Sequence, residues 1–235
     1  MSKPRHALST RRFFDREAAT WSKQYRSGGH MADRIERFLS AIGSRCSTPG
    51  RILDMGCGTG EIARALAQQG WQVTACDISA GMIETARQQA GEPAPEWLVL
   101  EPGRSLPFPD ESFEVIVSSS VLEYIADLPS HLAEIVRVLR PGGWYVATVP
   151  DMRHPARRAE ESKRRRALKP LWFSLLRLSP WRADYQYLRL SINRSSLSSW
   201  ASLMQDAGLV AKLPDHCDHP LALIAAQRSP IFRPS

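Results

Sequence analysis

The chain has 235 residues and a mass of 26.4 kDa, room for one compact domain with a modest insertion. With 43% hydrophobic and 23% charged residues, 14 Gly, 17 Pro and four Cys, it is no disordered tail, collagen-like fibre or disulfide-dense mini-protein. Basic residues outnumber acidic ones 31 to 24, for a net charge of +7.

The longest apolar run, Leu221 to Ala226, is strand-sized, against the roughly 18 residues a membrane span requires. The N-terminus lacks the apolar stretch of a secretory signal. Cys46, Cys57, Cys76 and Cys217 form no CxxC pair and read as isolated thiols in a reducing compartment. The expected setting is cytoplasmic, with peripheral contact at the inner membrane surface as an extension of that reading.

Residues 1–48 read as a helical cover, since Ile35, Phe38, Leu39 and Ile42 share one face of a helix over 32–43. Residues 49–150 then alternate strand and helix. A strand at Arg51–Asp54 enters a glycine-rich turn, and a helix at Glu61–Gln69 ends before Gly70. A strand at Gln72–Cys76, a helix at Ser79–Ala90 and a strand at Glu96–Leu100 come next. Phe113–Ser118 lacks the polar alternation of a half-exposed strand and reads as buried on both faces. The helix at Leu128–Leu139 stops at Arg140-Pro141-Gly142-Gly143, and Trp144–Val149 is the fifth strand. Residues 151–195 form a basic and aromatic insert. Residues 196–235 complete the core, with a helix at Ser196–Ala207 and strands at Leu209–Leu213 and Leu221–Gln227. This order predicts an α/β fold: a Rossmann-like, doubly wound sheet of about seven strands, mostly parallel with an antiparallel last strand. Helices cover both faces, and a helical lid insert follows the fifth strand.

Charge is concentrated in that insert. From Arg153 to Arg189 eleven basic residues face three acidic ones, so the remainder of the chain is close to neutral. Within it, Leu171, Trp172, Leu175 and Leu176 share one face of a helix over 170–178, preceded by Lys163-Arg164-Arg165-Arg166. This pattern suits a lid, its apolar face over a cleft and its charges in solvent. It also suits an interfacial helix on an anionic membrane surface. Nucleic acid is the weaker reading, because no RNA-binding module accompanies the basic run.

The strongest chemical signal is Asp54-Met55-Gly56-Cys57-Gly58-Thr59-Gly60, between a strand and a helix, with Asp77 at the tip of the second strand. Glycines let the backbone approach a ligand, the helix start offers free N–H groups, and a carboxylate at Asp77 suits a ribose diol. The third glycine of a dinucleotide fingerprint would be residue 61, which is Glu61. Asp54 would repel a pyrophosphate and suits a ligand bearing an ammonium beside a sulfonium, which is S-adenosylmethionine.

Asp54-x-Gly56-x-Gly58-x-Gly60, Asp77-Ile78-Ser79, Leu106-Pro107-Phe108, Ser120-Val121-Leu122-Glu123 and Arg137 to Gly143 resemble, in order, the class I S-adenosylmethionine-dependent methyltransferases. Within them the likeness is to the small-molecule branch that includes ubiquinone-pathway O-methyltransferases. The resemblance implies that Gly56 and Gly58 face the methionine part of the cofactor, with Asp54 on its ammonium. It implies Asp77 on the ribose, Ile78 and Met82 about the adenine, Leu106 in the same shell, and Ser118 beside the methionyl portion. Phe13, Phe14, Trp21 and Tyr25 would cover the cofactor. The family often places an acidic residue four before the leucine of Leu-Pro-Phe to meet the adenine amine. Pro102 stands there, with Glu101 one residue off, so a backbone contact near Gly103 is the expected substitute.

The reaction so implied is an in-line displacement, which needs alignment and exclusion of water, and a base only where the nucleophile must lose a proton. Glu123, Tyr124, Asp151 and His154 are the candidates, at the ends of the fourth and fifth strands. Quinone O-methyltransferases often carry E-x-x-E-H and a divalent ion. The corresponding Ser120, Glu123 and Tyr124 keep one oxygen ligand, so no metal is expected. His216-Cys217-Asp218-His219 reads as a polar turn. The loop after the fourth strand is no N-P-P-Y, and no Pro-Cys pair is present, which excludes two classes of DNA methylation. The expected acceptor is a hydroxyl on a small, partly apolar or lipid-linked molecule. N-methylation, tRNA or rRNA methylation through the insert, and a non-catalytic cofactor-fold protein are the alternatives.

Overall fold

The computed structural model describes residues 3–25, 31, 33–167, 182–216 and 218–230. The expected helix over 170–178 lies outside these residues, as does Cys217. Helices α1 (Lys3–Trp21) and α2 (Arg34–Gly43) precede strand β1 (Arg51–Met55). Then come α3 (Glu61–Gln68), β2 (Gln72–Asp77), α4 (Ala80–Gln88), β3 (Glu96–Val99), β4 (Phe113–Ser118), α5 (Leu128–Val138) and β5 (Leu139–Pro150). Helices α6 (Pro155–Ala167), α7 (Arg182–Leu190) and α8 (Leu197–Asp206) lead to β6 (Leu209–Lys212) and β7 (Leu221–Arg228).

The seven strands run in the order β3-β2-β1-β4-β5-β7-β6. Only β7 opposes the rest, pairing antiparallel with both β5 and β6. Because side chains alternate along a strand, each central strand feeds both faces. Leu53, Ile116 and Tyr145 point toward α5 and α8, packing with Leu132, Ile135 and Trp200. Ile52, Val115, Val117 and Val146 point the other way, toward Phe38, Ile62 and Leu66 of α2 and α3. A strand buried on both sides has no polar face to show, which is why β4 reads as unbroken apolar sequence.

Two boundaries differ from the sequence expectation. Strand β5 begins at Leu139, so Arg140 to Gly143 belong to the strand. The chain passes from helix to strand at once, and the β4–β5 register shifts between Phe113 and Val115. Helix α6 occupies 155–167, a stretch expected only as a basic run, with Pro155 in its first turn where the missing N–H is harmless.

Two sets of tertiary contacts and a helix cap shape the C-terminal edge of the sheet, where such folds bind ligands. Asp15 of α1 accepts the Ser79 hydroxyl at 2.7 Å and the Gly81 N–H at 3.2 Å, fastening α1 to the start of α4. Ser79 in turn caps α4 by accepting the Met82 N–H at 3.1 Å. Arg137 of α5 donates to the Leu106 and Phe108 carbonyls at 2.9 and 2.8 Å, holding the loop after β3 on α5.

Candidate active site

A cavity of about 1110 Å³ opens along that edge, from the β1–α3 turn to the start of α6. A pocket for a single small ligand spans roughly 300–1,000 Å³, so this one has room for a cofactor and an acceptor together.

At one end stands the glycine turn. Gly56 takes φ +73°, and a Cβ there would lie 2.2 Å from Cγ2 of Val121. Only glycine allows both this left-handed backbone and so close an approach of the loop after β4. The Gly58 N–H donates to Asp77 Oδ2 at 3.0 Å, and the Ser79 N–H donates to Oδ1 at 2.8 Å. Burial pushes the Asp77 carboxyl up to about 6 despite these bonds. Asp54 is 1% exposed, and neither of its oxygens has a hydrogen-bond partner of good geometry. Burial, then the neighbouring Asp77 and Glu61 charges, push its pKa up to about 8, with the Ala63 N–H as a partial offset. A buried carboxylate beside a half-buried one, neither ion-paired among the described residues, is complementary to a positively charged ligand.

Arg34 at the start of α2 borders the same end and is 4% exposed. Its Nη1 donates to the Ser119 hydroxyl at 3.2 Å, while Nε has no partner. Tyr25 borders the same end, and burial pushes its phenol up to about 12, with the Arg34 charge as a partial offset. An unpaired carboxylate and an arginine with an unpaired donor thus share one end of the cavity, a match for an amino-acid zwitterion. Arg34 escaped the sequence reading because an arginine opening an amphipathic helix carries no local signal of inward orientation.

Ile78, Met82 and Leu106 line the cavity, as do Tyr25, Asp54, Gly56, Gly58 and Asp77. Ser118 does not border it: fully buried, it pairs in register with Ala147 of β5. The next two residues, Ser119 and Ser120, line the cavity instead.

Rings roof the space. Phe14 meets Trp21 and Tyr124 edge-on, with centroids 5.4 and 5.3 Å apart, and Tyr124 lies 6.2 Å from Tyr187 of α7. At this far end Glu123 is 1% exposed. Its Oε2 accepts the Ser191 hydroxyl at 2.5 Å, while Oε1 has no partner. Burial raises its pKa, opposed by Arg157, by Ser191 and by Arg194. The Tyr124 phenol is pushed well above its ordinary range, chiefly by burial, so it stays protonated.

His154 lies outside the cavity lining, where its Nδ1 accepts the Ala156 N–H at 3.2 Å in the first turn of α6. Asp151 is likewise outside the lining, bound to Arg153 at 2.9 Å. The basic insert is no simple solvated face. Arg157 points inward at 7% exposure, donating to the Pro220 carbonyl at 3.1 Å and to Glu160 at 2.8 Å. Arg194 bonds Glu160 at 2.9 Å, and Arg165 bonds Glu161 at 3.0 Å. His219 is drawn to the cavity rim, its Nδ1 accepting the Leu221 N–H at 3.0 Å. Among the described residues no three His, Cys, Asp or Glu side chains gather as a metal site, and no helix is long and apolar enough to cross a membrane.

A doubly wound sheet with a glycine turn after β1, a carboxylate ending β2 and an uncompensated anionic pocket defines a nucleoside-cofactor domain of methyltransferase type. Known proteins agree. The profile of a family described as a methyltransferase domain matches residues 53–147. The malonyl-[acyl-carrier protein] O-methyltransferase of Serratia marcescens is 41% identical over 103 residues, which are 43% of this chain and 39% of that protein. The demethylmenaquinone methyltransferase of Tropheryma whipplei is 30% identical over 190 residues, 80% of this chain and 77% of that one. Magnesium protoporphyrin IX methyltransferase from Synechocystis, solved with bound S-adenosylmethionine, superposes with a TM-score of 0.64. That superposition covers 95% of this chain and 97% of the other at 15% identity, a likeness of fold. The chain belongs to the class I S-adenosylmethionine-dependent methyltransferases of the small-molecule type. Its match to the Serratia protein spans well under two thirds of that relative's length.

Proposed function

We propose that this protein transfers a methyl group to a hydroxyl oxygen on a small, partly apolar or lipid-linked acceptor. The observation that carries this reading is one continuous cavity whose two ends differ in chemistry. At the anionic end Asp54 would hold the cofactor's ammonium, Arg34 with Tyr25 its carboxylate, and Asp77 the ribose diol. S-adenosylmethionine, when bound, supplies a methyl group activated by its sulfonium.

The chain's part is to align, to exclude water and to accept a proton. Phe14, Trp21, Tyr124 and Tyr187 would cover the reacting atoms and favour a flat or apolar acceptor. Glu123 is the base that fits best of the sequence candidates. It borders the cavity, keeps Oε1 unpaired and has a raised pKa. As the acceptor oxygen bonds to carbon, its hydrogen passes to Glu123 Oε1. Tyr124 holds its own proton and packs. His154, outside the cavity lining, caps α6. One relative is named as an O-methyltransferase on malonyl-[acyl-carrier protein] and another as a demethylmenaquinone methyltransferase, which supports a carrier-linked or lipid-linked acceptor without specifying a hydroxyl.

Incubation with methyl-labelled S-adenosylmethionine and a panel of phenols, long-chain hydroxy lipids, amines and transfer RNA tests the reading. Label is expected in an ether of an apolar hydroxyl compound. Label in an amine or in RNA overturns the oxygen assignment, and absence of cofactor binding by folded protein overturns the whole. Flotation with anionic liposomes reports separately on whether the basic segment docks on a membrane.

A further inference from the structure

Glu123 and Tyr124 belong to a 3₁₀ turn, Leu122–Tyr124, in the loop after β4, and both border the cavity. A turn this short closes little of its own hydrogen bonding. The Tyr124 N–H reaches the Val121 carbonyl at 2.9 Å, and the Ile125 N–H reaches that of Leu122 only at 3.4 Å. The carbonyls of the turn are taken from outside instead. The Ile192 and Asn193 N–H groups both donate to the Glu123 carbonyl, at 2.8 and 3.1 Å. Asn193 Nδ2 donates to the Leu122 carbonyl at 2.8 Å and to the Ile125 carbonyl at 2.6 Å, one N–H for each. Reversing this amide would set its oxygen against two carbonyl oxygens, so the contacts themselves fix its orientation. His6 Nε2 of α1 lies 2.9 Å from the Tyr124 carbonyl, which places the ring proton on Nε2. Every carbonyl from Leu122 to Ile125 thus meets a donor from α1 or from the segment after α7.

That segment also holds the Glu123 side chain. Ser191 donates to Oε2 at 2.5 Å, and Arg194 Nε donates to Ser191 Oγ at 3.1 Å. Oε2 is therefore occupied, and Oε1 is the oxygen without a protein partner. Arg194 is anchored in turn on Glu160 of α6 at 2.9 Å. The other charged or titratable groups about this carboxyl are Arg157 of α6, Tyr124 and Tyr187. Residues 191–194 themselves stay out of the cavity lining, so whatever they do for the reaction they do through the turn.

We propose that residues 191–194 form a strap that positions the acceptor side of the site, Asn193 fixing the turn and Ser191 selecting which oxygen of Glu123 is left to act. A base in a turn loose by about 1 Å would forfeit much of its rate advantage, and this turn has no ladder of its own to prevent that. Asn193 and Ser191 are positioning residues. The inference rests on Glu123 as the base of the proposed transfer.

The test uses the full chain as wild type, Asn193→Ala, Ser191→Ala, Glu123→Gln and the double variant Glu123→Gln/Asn193→Ala, each shown to be folded by a ligand-free melt. Turnover is followed with methyl-labelled S-adenosylmethionine and the phenol or hydroxy lipid that wild type methylates. Asn193→Ala is expected to lower kcat about 10- to 100-fold, the scale of a misplaced group, with S-adenosylhomocysteine affinity within about twofold of wild type. Added to Glu123→Gln, it should slow the reaction by no more than about threefold further, because the group it positions is already gone. Ser191→Ala removes a donor to the ionised carboxyl, so the acid limb of the kcat profile should move up by about one pH unit. The carbon-13 titration of the Glu123 carboxyl, assigned by its absence in Glu123→Gln, should move with it and needs no acceptor. Should Asn193→Ala not fold, this titration in Ser191→Ala carries the test. A folded Asn193→Ala with kcat within about threefold of wild type, or losses that multiply in the double variant, overturns the proposal. So does an unmoved Glu123 titration in Ser191→Ala. If Glu123→Gln turns over like wild type, the base assignment falls and the strap proposal with it, whereas a slow Glu123→Gln beside an unimpaired Asn193→Ala overturns the strap alone.

Discussion

The two ends of the cavity treat buried charge in opposite ways. At the glycine turn Asp54 pairs with no cation among the described residues, and Asp77 accepts backbone N–H groups. At the far end Glu123, Arg157, Glu160, Ser191 and Arg194 form one interlocked network, in which Glu123 Oε1 and Arg194 Nη1 are left over. A buried charge left unpaired costs stability, so it is tolerated where a ligand brings the counterion. A paired network carries its own compensation and holds structure, here α6 and the segment after α7 against the core. The difference separates where the cofactor is bound from where the cover is fastened, and Glu123 stands on the border.

The sharpest way to break this comparison is Glu123→Gln. If Oε1 takes the acceptor's proton, the methyl-transfer rate should fall about 10²- to 10³-fold, the range of general-base catalysis, with cofactor affinity unchanged. A rate within about threefold of wild type in steady-state assays would return Glu123 wholly to the structural network. Next in size, Asp77→Ala removes the acceptor for two backbone N–H groups as well as the expected ribose ligand. Titration of S-adenosylhomocysteine should show affinity lowered about 100-fold, with the far end unaffected in melt and spectrum.

A pH experiment probes Asp54. Its folded pKa, about 8, lies above the ordinary 3.8. Between those values the ligand-free protein holds a proton that the unfolded chain releases, so this group's contribution to stability falls as pH rises through that window. Asp77, at about 6, acts in the same direction over a narrower range. Binding a cation beside Asp54 expels the proton, so calorimetry at pH 7 in buffers of different ionisation enthalpy should show proton release. Asp54→Asn should flatten the pH dependence of the ligand-free melting temperature, and an unchanged slope would mean that Asp54 is already ionised. The smallest effect belongs to Ser79→Ala. It removes the cap of α4 and one of the two contacts that Asp15 of α1 makes with the start of α4, and should cost about 1 kcal/mol in denaturant unfolding.

Much of the cofactor end is legible locally. Asp54, Gly56, Gly58, Asp77 and Ile78 lie at the ends of β1 and β2 or on the turns that leave them, where residues close in the chain stay close in space. The far end is not legible in this way. Glu123 meets Ser191 across 68 residues of sequence, and Arg34 meets Ser119 across 85. His154 looked like a base because its intrinsic pKa is apt, yet one turn of α6 takes its Nδ1 for a backbone N–H. Ser118 missed the cavity by one residue because it is still paired within the sheet, whereas the chain opens onto the cavity only where the strand ends, at Ser119 and Ser120.

The charge distribution follows the same division. The sequence alone determined that the excess of basic residues sits in one segment, and it determined the strand and helix order, the glycine turn and the two acidic residues that mark the cofactor, since each depends on neighbours a few residues apart. Only the tertiary structure decided that Arg157 turns inward while Arg165 does not. It alone decided that Arg34 joins the anionic end and that α1 is fastened to α4 through Asp15. Those outcomes depend on which helices pack across the sheet and on the desolvation each site then imposes, and neither is encoded in any local stretch of chain.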